Sequence, residues 1–161
     1  MKPEQVVDHL LILQRYAAYA HAVDAHDGDA YADCYTPDGW TDVSSFKTVK
    51  ALAAAGLMDF MDRKGIIRGR ENLRKSAGLV NLHHLIGNVL IRSIDGDRAR
   101  GSAYFVVFAP DNGHVEHYGR YEDELARCPD GQWRLVSRVD IAKFERDRPP
   151  PLASRSPLLT S

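Results

Sequence analysis

Cysteine is nearly missing from the chain: Cys34 and Cys128 are the two in 161 residues. Two isolated thiols make neither a disulfide framework nor the paired ligands of a structural zinc site. The expected setting is a reducing cytoplasm, with both thiols as packing groups. An excess of one charge is also lacking, since 21 basic residues face 22 acidic ones and the formal net charge is −1. No overall field points to nucleic acid or to an anionic membrane, which leaves a small molecule or a protein as partner. There is no long apolar run either. The N-terminal cluster is interrupted by Gln14 and Arg15, and no cleavage pattern follows it, so neither a secretory signal nor a membrane span is expected. No Gly-rich phosphate loop appears. His114 and His117 have an H-x-x-H spacing, but residues three apart on a strand face opposite sides. Neither metal nor organic cofactor is therefore expected.

What is present is 44% apolar sequence, enough to close one core in a chain of single-domain length. Val6, Leu10, Leu13, Ala17 and Ala20 recur at helical spacing, which predicts a first helix over residues 3–23 with these on its inner face beside Tyr16. A short helix over 29–35 is expected to end at Thr36-Pro37-Asp38-Gly39, followed by a short strand over 40–43. Residues 52–61 read as a loosely packed apolar helix, either a lid or plain core, and 69–77 as a further helix. The second half is β-rich over 88–94, 99–108, 117–126 and 133–144, with turn signals between the runs. Helices first and a strand meander afterwards predict an α+β domain, a curved antiparallel sheet enclosing a pocket with the N-terminal helices. That domain is expected to span 1–145, with a Pro- and Ser-rich tail over 146–161. One sheet face is left outside the pocket, and a second copy of the chain is expected to cover it, giving a homodimer or higher homo-oligomer.

Several local patterns meet in this order of elements: Tyr19-Ala-His-Ala-Val-Asp24, Tyr35-Thr-Pro-Asp-Gly39, His83-His84-Leu-Ile-Gly-Asn88, Tyr118-Gly-Arg-Tyr121 and Gly131-Gln-Trp-Arg-Leu-Val-Ser-Arg138. Together, over about residues 5–145, they resemble the SnoaL-like family of the nuclear transport factor 2-like superfamily, whose members fold a curved sheet and helices into a cone with a pocket. The resemblance implies that Asp24 and His84 form a His-Asp dyad, as matching positions do in scytalone dehydratase, hexachlorocyclohexane dehydrochlorinase and bile-acid 7α-dehydratase. All three are lyases. Tyr19 and Arg138 match a Tyr and an Arg of the bile-acid enzyme. One departure is Ala109, near which scytalone dehydratase has a second pocket histidine.

A histidine held by a carboxylate is a competent general base near neutral pH. A phenol can polarise a carbonyl, and a guanidinium can support developing negative charge. The expected activity is thus a cofactor-independent dehydratase acting on a small hydrophobic cyclic, steroid-like hydroxy-carbonyl compound. Asp24, His84, Tyr19 and Arg138 are its catalytic candidates, and Tyr16, Tyr35, Trp40 and Phe108 its candidate substrate contacts. An isomerase sharing the first proton abstraction, or a non-catalytic binding module on the same cone, are the alternatives. The residues alone leave Asp24 open as a helix or turn cap, Tyr19 as core, and Arg138 as a surface residue or a partner of Asp140 or Glu122.

Overall fold

The alternating runs of the second half form four long strands in a computed structural model that describes residues 3–77 and 81–147. They are β3 (His83–Asp95), β4 (Arg98–Phe108), β5 (Val115–Arg127) and β6 (Trp133–Glu145). The first half supplies α1 (Pro3–Asp24), α2 (Gly28–Ala32), β1 (Tyr35–Asp42), α3 (Lys47–Ala54), β2 (Ile66–Arg68) and α4 (Arg70–Ser76). All but the first two residues of the expected tail lie outside the described residues. The six strands make one curved sheet in the order β2-β1-β6-β5-β4-β3, so the fold is the expected α+β arrangement. One pair departs from the antiparallel expectation: β1 runs parallel to β6, because the chain returns to β6 only after crossing the whole sheet. The turn signal at residues 36–39 sits inside β1 as a looped-out stretch, between the pairs Tyr35 with Leu135 and Trp40 with Ser137. A proline is tolerated there because it owes the ladder no hydrogen bond.

Bulges bend the sheet. Extra residues break the β3–β4 register after Gly87, where Asn88 takes φ 50°, and the β4–β5 register at Val107. Each adds local twist and curves the strands around their inner face. At the β5–β6 bend only glycine fits at position 119, because a Cβ there would lie 2.1 Å from the Ile141 carbonyl oxygen. A further bulge opposite Glu124 and Leu125 reverses the alternation of β6: Trp133 and Leu135 point inward before it, Arg138 and Asp140 after it.

α1 covers the inner face, but not with the stripe its apolar spacing suggested. Ile12, Tyr16, Tyr19 and Ala22 are buried, whereas Val6, Leu10 and Leu13 are exposed. A polar residue sets the rotation. Asp8 is buried and accepts hydrogen bonds from Trp133 Nε1 at 3.1 Å and from Arg127 at 2.6 Å, which fixes the first turns of α1 against the ends of β5 and β6. The aromatic core follows from this rotation, with Phe105 and Tyr121 stacked at 4.4 Å and Tyr19 edge-on to Tyr121 at 5.9 Å. On the outer sheet face Leu85, Leu90, Tyr104, Tyr118 and Phe144 are exposed. Among the described residues no helix is long and apolar enough to cross a membrane.

Candidate functional site

The last residue of α1 meets the first turn-out of β3. Asp24 Oδ1 lies 2.6 Å from His84 Nδ1, and the same carboxylate accepts the His84 backbone N–H at 2.9 and 3.1 Å. One side chain thus fixes both the strand entry and the ring. With Nδ1–H donated to the carboxylate, Nε2 keeps the lone pair and is the basic nitrogen. Burial by itself would raise the Asp24 pKa, but the hydrogen bonds from the His84 ring and backbone outweigh it and hold the carboxyl below its ordinary value. His83 sits on the other face and is exposed, with Nδ1 3.6 Å from Asp24 Oδ2.

His84 is on the wall of a cavity of about 220 Å³ between the inner sheet face and the helices. Val23, Phe46, Val49, Leu52, Met58 and Ile67 make most of that wall apolar. Its roof is the stretch from Phe46 to Met61, where α3 is shorter and earlier than the helix expected over 52–61. The local sequence offers α3 no side-chain cap. Glu145 at the end of β6 does so instead, accepting the backbone N–H groups of Lys47 and of Thr48, the latter at 3.0 Å. The segment is thus a roof tied to the sheet at one end.

Tyr19 joins His84 on the wall. Burial, with Tyr31 beside it, pushes the Tyr19 phenol well above its ordinary range, so it stays a neutral hydrogen-bond donor. Further titratable groups that were not expected on this wall are there as well. His117 enters through the β4–β5 bulge: Val107 pairs with His117 and Phe108 with Val115, so Glu116 is the extra residue, and Glu116 and His117 both reach the cavity. The cavity thus has a second histidine, but from β5 and not from the position of Ala109. Asp140 is another, brought inward by the β6 bulge. In the sequence His117 stands out only as half of an H-x-x-H pair with His114, and nothing there marks the bulge that turns it inward.

Burial, and then the charge of His84, lower the His117 pKa to about 4 against a weaker opposing effect of Glu145. The ring lies 4.8 Å from Phe46 and 6.0 Å from Phe105. Below the ordinary histidine pKa the unfolded chain binds a proton that the folded one refuses until about pH 4. Stability is therefore lost as pH falls through this window and is intact above it. In urea unfolding, His117→Phe is expected to lose less stability than wild type between pH 7 and pH 4, by up to about 3 kcal/mol. Parallel losses in the two proteins would contradict this.

The remaining expected site residues are not on the cavity wall. Arg138 is fully buried in a two-pronged ion pair with Asp123, its cross-strand neighbour, at 2.8 Å for each contact. Its guanidinium stacks on Tyr121 at 3.9 Å, on Tyr19 at 4.1 Å and on Tyr16 at 5.3 Å. It thus underlies Tyr19 and is not among the residues lining the cavity, and its ion-pair partner is neither Asp140 nor Glu122. Tyr16 is held under that guanidinium, close to Gly101. Tyr35 packs behind Tyr31 at 5.6 Å. Trp40 and Phe108 have the wrong strand parity: their inward neighbours are Thr41 and Val107, while Trp40 lies against Arg68 at 5.3 Å. Tyr31 takes the place on the wall expected for Tyr35. Among the described residues no group of three or more His, Cys, Asp or Glu is placed to hold a metal ion.

The sequence model of a family described as a SnoaL-like domain matches residues 4–139. No match is found among curated proteins. Of solved structures, Rv3472 of Mycobacterium tuberculosis, a protein of unknown function, is similar with 29% identity and a TM-score of 0.67, over 84% of this chain and 76% of that one. A protein of Novosphingobium aromaticivorans provisionally named a scytalone dehydratase is similar in fold, with 16% identity and a TM-score of 0.69, over 97% of this chain and 99% of that one. The same organism has a provisionally named aromatic ring hydroxylase with 24% identity and a TM-score of 0.65, over 95% of each chain.

Proposed function

The chain belongs to the SnoaL-like domain family, and from that premise we propose that it is a cofactor-independent lyase that removes water from a hydrophobic cyclic hydroxy-carbonyl compound. The observation that carries this reading is the 2.6 Å contact of His84 with Asp24 on the wall of an apolar cavity. His84 Nε2 takes a proton from the carbon next to the carbonyl, and Asp24 stabilises the imidazolium that results. Tyr19 donates a hydrogen bond to the carbonyl oxygen as its negative charge grows. The C–O bond to the hydroxyl then breaks, a carbon–carbon double bond forms in conjugation with the carbonyl, and the imidazolium proton leaves with hydroxide as water. Arg138 acts from behind as a positioning residue: it fixes the Tyr19 ring against its guanidinium at 4.1 Å.

The test is a panel of cyclic β-hydroxy ketones and steroid alcohols, incubated without added metal or cofactor and followed by absorbance of the conjugated product. Elimination is expected from at least one member. Binding of panel compounds with no product from any of them would contradict the reading.

A further inference from the structure

Asp140 is the buried titratable group that this mechanism leaves unused. It lies on the cavity wall at 7% exposure, and its Oδ1 has no hydrogen-bond partner among the described residues. On the neighbouring strand β1, Thr41 also lines the cavity at 1% exposure; its Oγ1 makes no hydrogen bond of ordinary geometry, and the one group it leans on is the Asp140 carboxyl. Buried polar atoms are nearly always fully satisfied, and a carboxyl and a hydroxyl on one cavity wall that have at most each other are what a ligand-binding pole looks like. Their place in the sheet separates them from the dyad. His84 is in line with Val107 and His117 across β3, β4 and β5, whereas Asp140 pairs with Tyr121. Tyr121 is four residues further along β5 than His117, on the order of 13 Å at ordinary strand rise.

We propose that Asp140 and Thr41 form a second polar pole of the cavity, which takes an oxygen-bearing group, a carbonyl or a hydroxyl, on the part of an apolar ligand that does not meet His84. The ligand class is then narrower than a hydrophobic ring: a fused bicycle, in keeping with about 220 Å³, with oxygen at two separate positions. The electrostatics agree with this role. Burial above all, opposed by the Arg138 charge and weakly by the Thr41 hydroxyl and reinforced by Asp123 and Asp42, raises the Asp140 pKa to about 7. Near neutrality the carboxyl therefore offers a proton to a ligand oxygen as well as a lone pair. Tyr19, Tyr31, Tyr35 and Tyr121, the phenols of this region, stay neutral.

The inference shares with the lyase reading only the premise that the cavity takes a ligand, and its test is of binding without turnover. A panel that shows no elimination therefore leaves it standing, and its own failure leaves the dyad untouched. Calorimetric titration would use three probes: 6-hydroxy-1-tetralone with two oxygens, 1-tetralone with one, and tetralin with none. Wild type is expected to prefer the two-oxygen probe over 1-tetralone by about tenfold, the effect of one net hydrogen bond. Asp140→Leu should abolish that preference and leave tetralin binding unchanged. Asp140→Asn, whose amide still donates and accepts, should keep most of it. An unchanged preference in Asp140→Leu, or none in wild type, overturns the proposal. Should Asp140→Leu fail to fold, carbon-13 NMR of the Asp140 carboxyl in wild type decides instead, its signal identified by its loss in Asp140→Asn. A shift with 6-hydroxy-1-tetralone and none with tetralin supports the pole, and equal responses to both overturn it.

Discussion

Turnover by the His84→Ala variant is expected to fall by roughly 10²–10⁴ relative to wild type, with ligand binding and melting temperature little changed. The ring supplies proton transfer and little packing, since it lines a cavity and does not fill the core. Asp24→Asn should act in the same direction, because an amide does not stabilise an imidazolium as a carboxylate does. Asn keeps an oxygen for the His84 backbone N–H, so the entry to β3 should survive. The double variant should be scarcely worse than His84→Ala alone, for two groups that serve one step do not lose their effects additively. Single-turnover rates on an elimination substrate measure all three. Additive losses would separate Asp24 from the base and contradict the dyad.

A comparably large effect is expected on stability from the other buried pair. Arg138→Met leaves Asp123 charged and desolvated beneath the tyrosines, and Asp123→Leu leaves Arg138 so. Removing one partner of such a pair typically costs about 3–5 kcal/mol. Both side chains are fully buried, so solvent does not screen the loss. The combined Arg138→Met and Asp123→Leu variant should recover much of it, since no charge is then left unpaired. Urea unfolding of the three variants checks this. A double variant less stable than either single one would show that the pair contributes more than mutual neutralisation.

These two pairs mark where sequence reasoning succeeds and where it stops. The meander β3 to β6 was legible because a half-buried strand repeats every two residues and Gly-containing turns separate the runs. Asp24 and His84 were legible through family patterns, and their contact could not be read from spacing because 60 residues separate them. What failed was mostly parity. A bulge of one residue reverses every side chain beyond it, which sends Arg138 and Asp140 inward on β6 and brings His117 to the cavity on β5. The outward positions of Trp40 and Phe108 follow from the inward ones of Thr41 and Val107. On α1 the apolar residues run nearly all round the helix, so their spacing did not select a face, and the buried hydrogen bonds of Asp8 did. The three-residue strand β2 is too short to carry a periodic signal.

The central claim is that His84 takes a proton from a carbon atom of a ligand in the apolar cavity, a step common to elimination and to double-bond migration. Proton NMR of a cyclic β-hydroxy ketone in D₂O follows that proton directly, by the loss of the signal next to the carbonyl through exchange or elimination. With wild type the signal should disappear at least a hundredfold faster than with His84→Ala, which should match the protein-free control to within a few-fold. Equal rates for wild type and His84→Ala on a ligand that both bind would contradict the account.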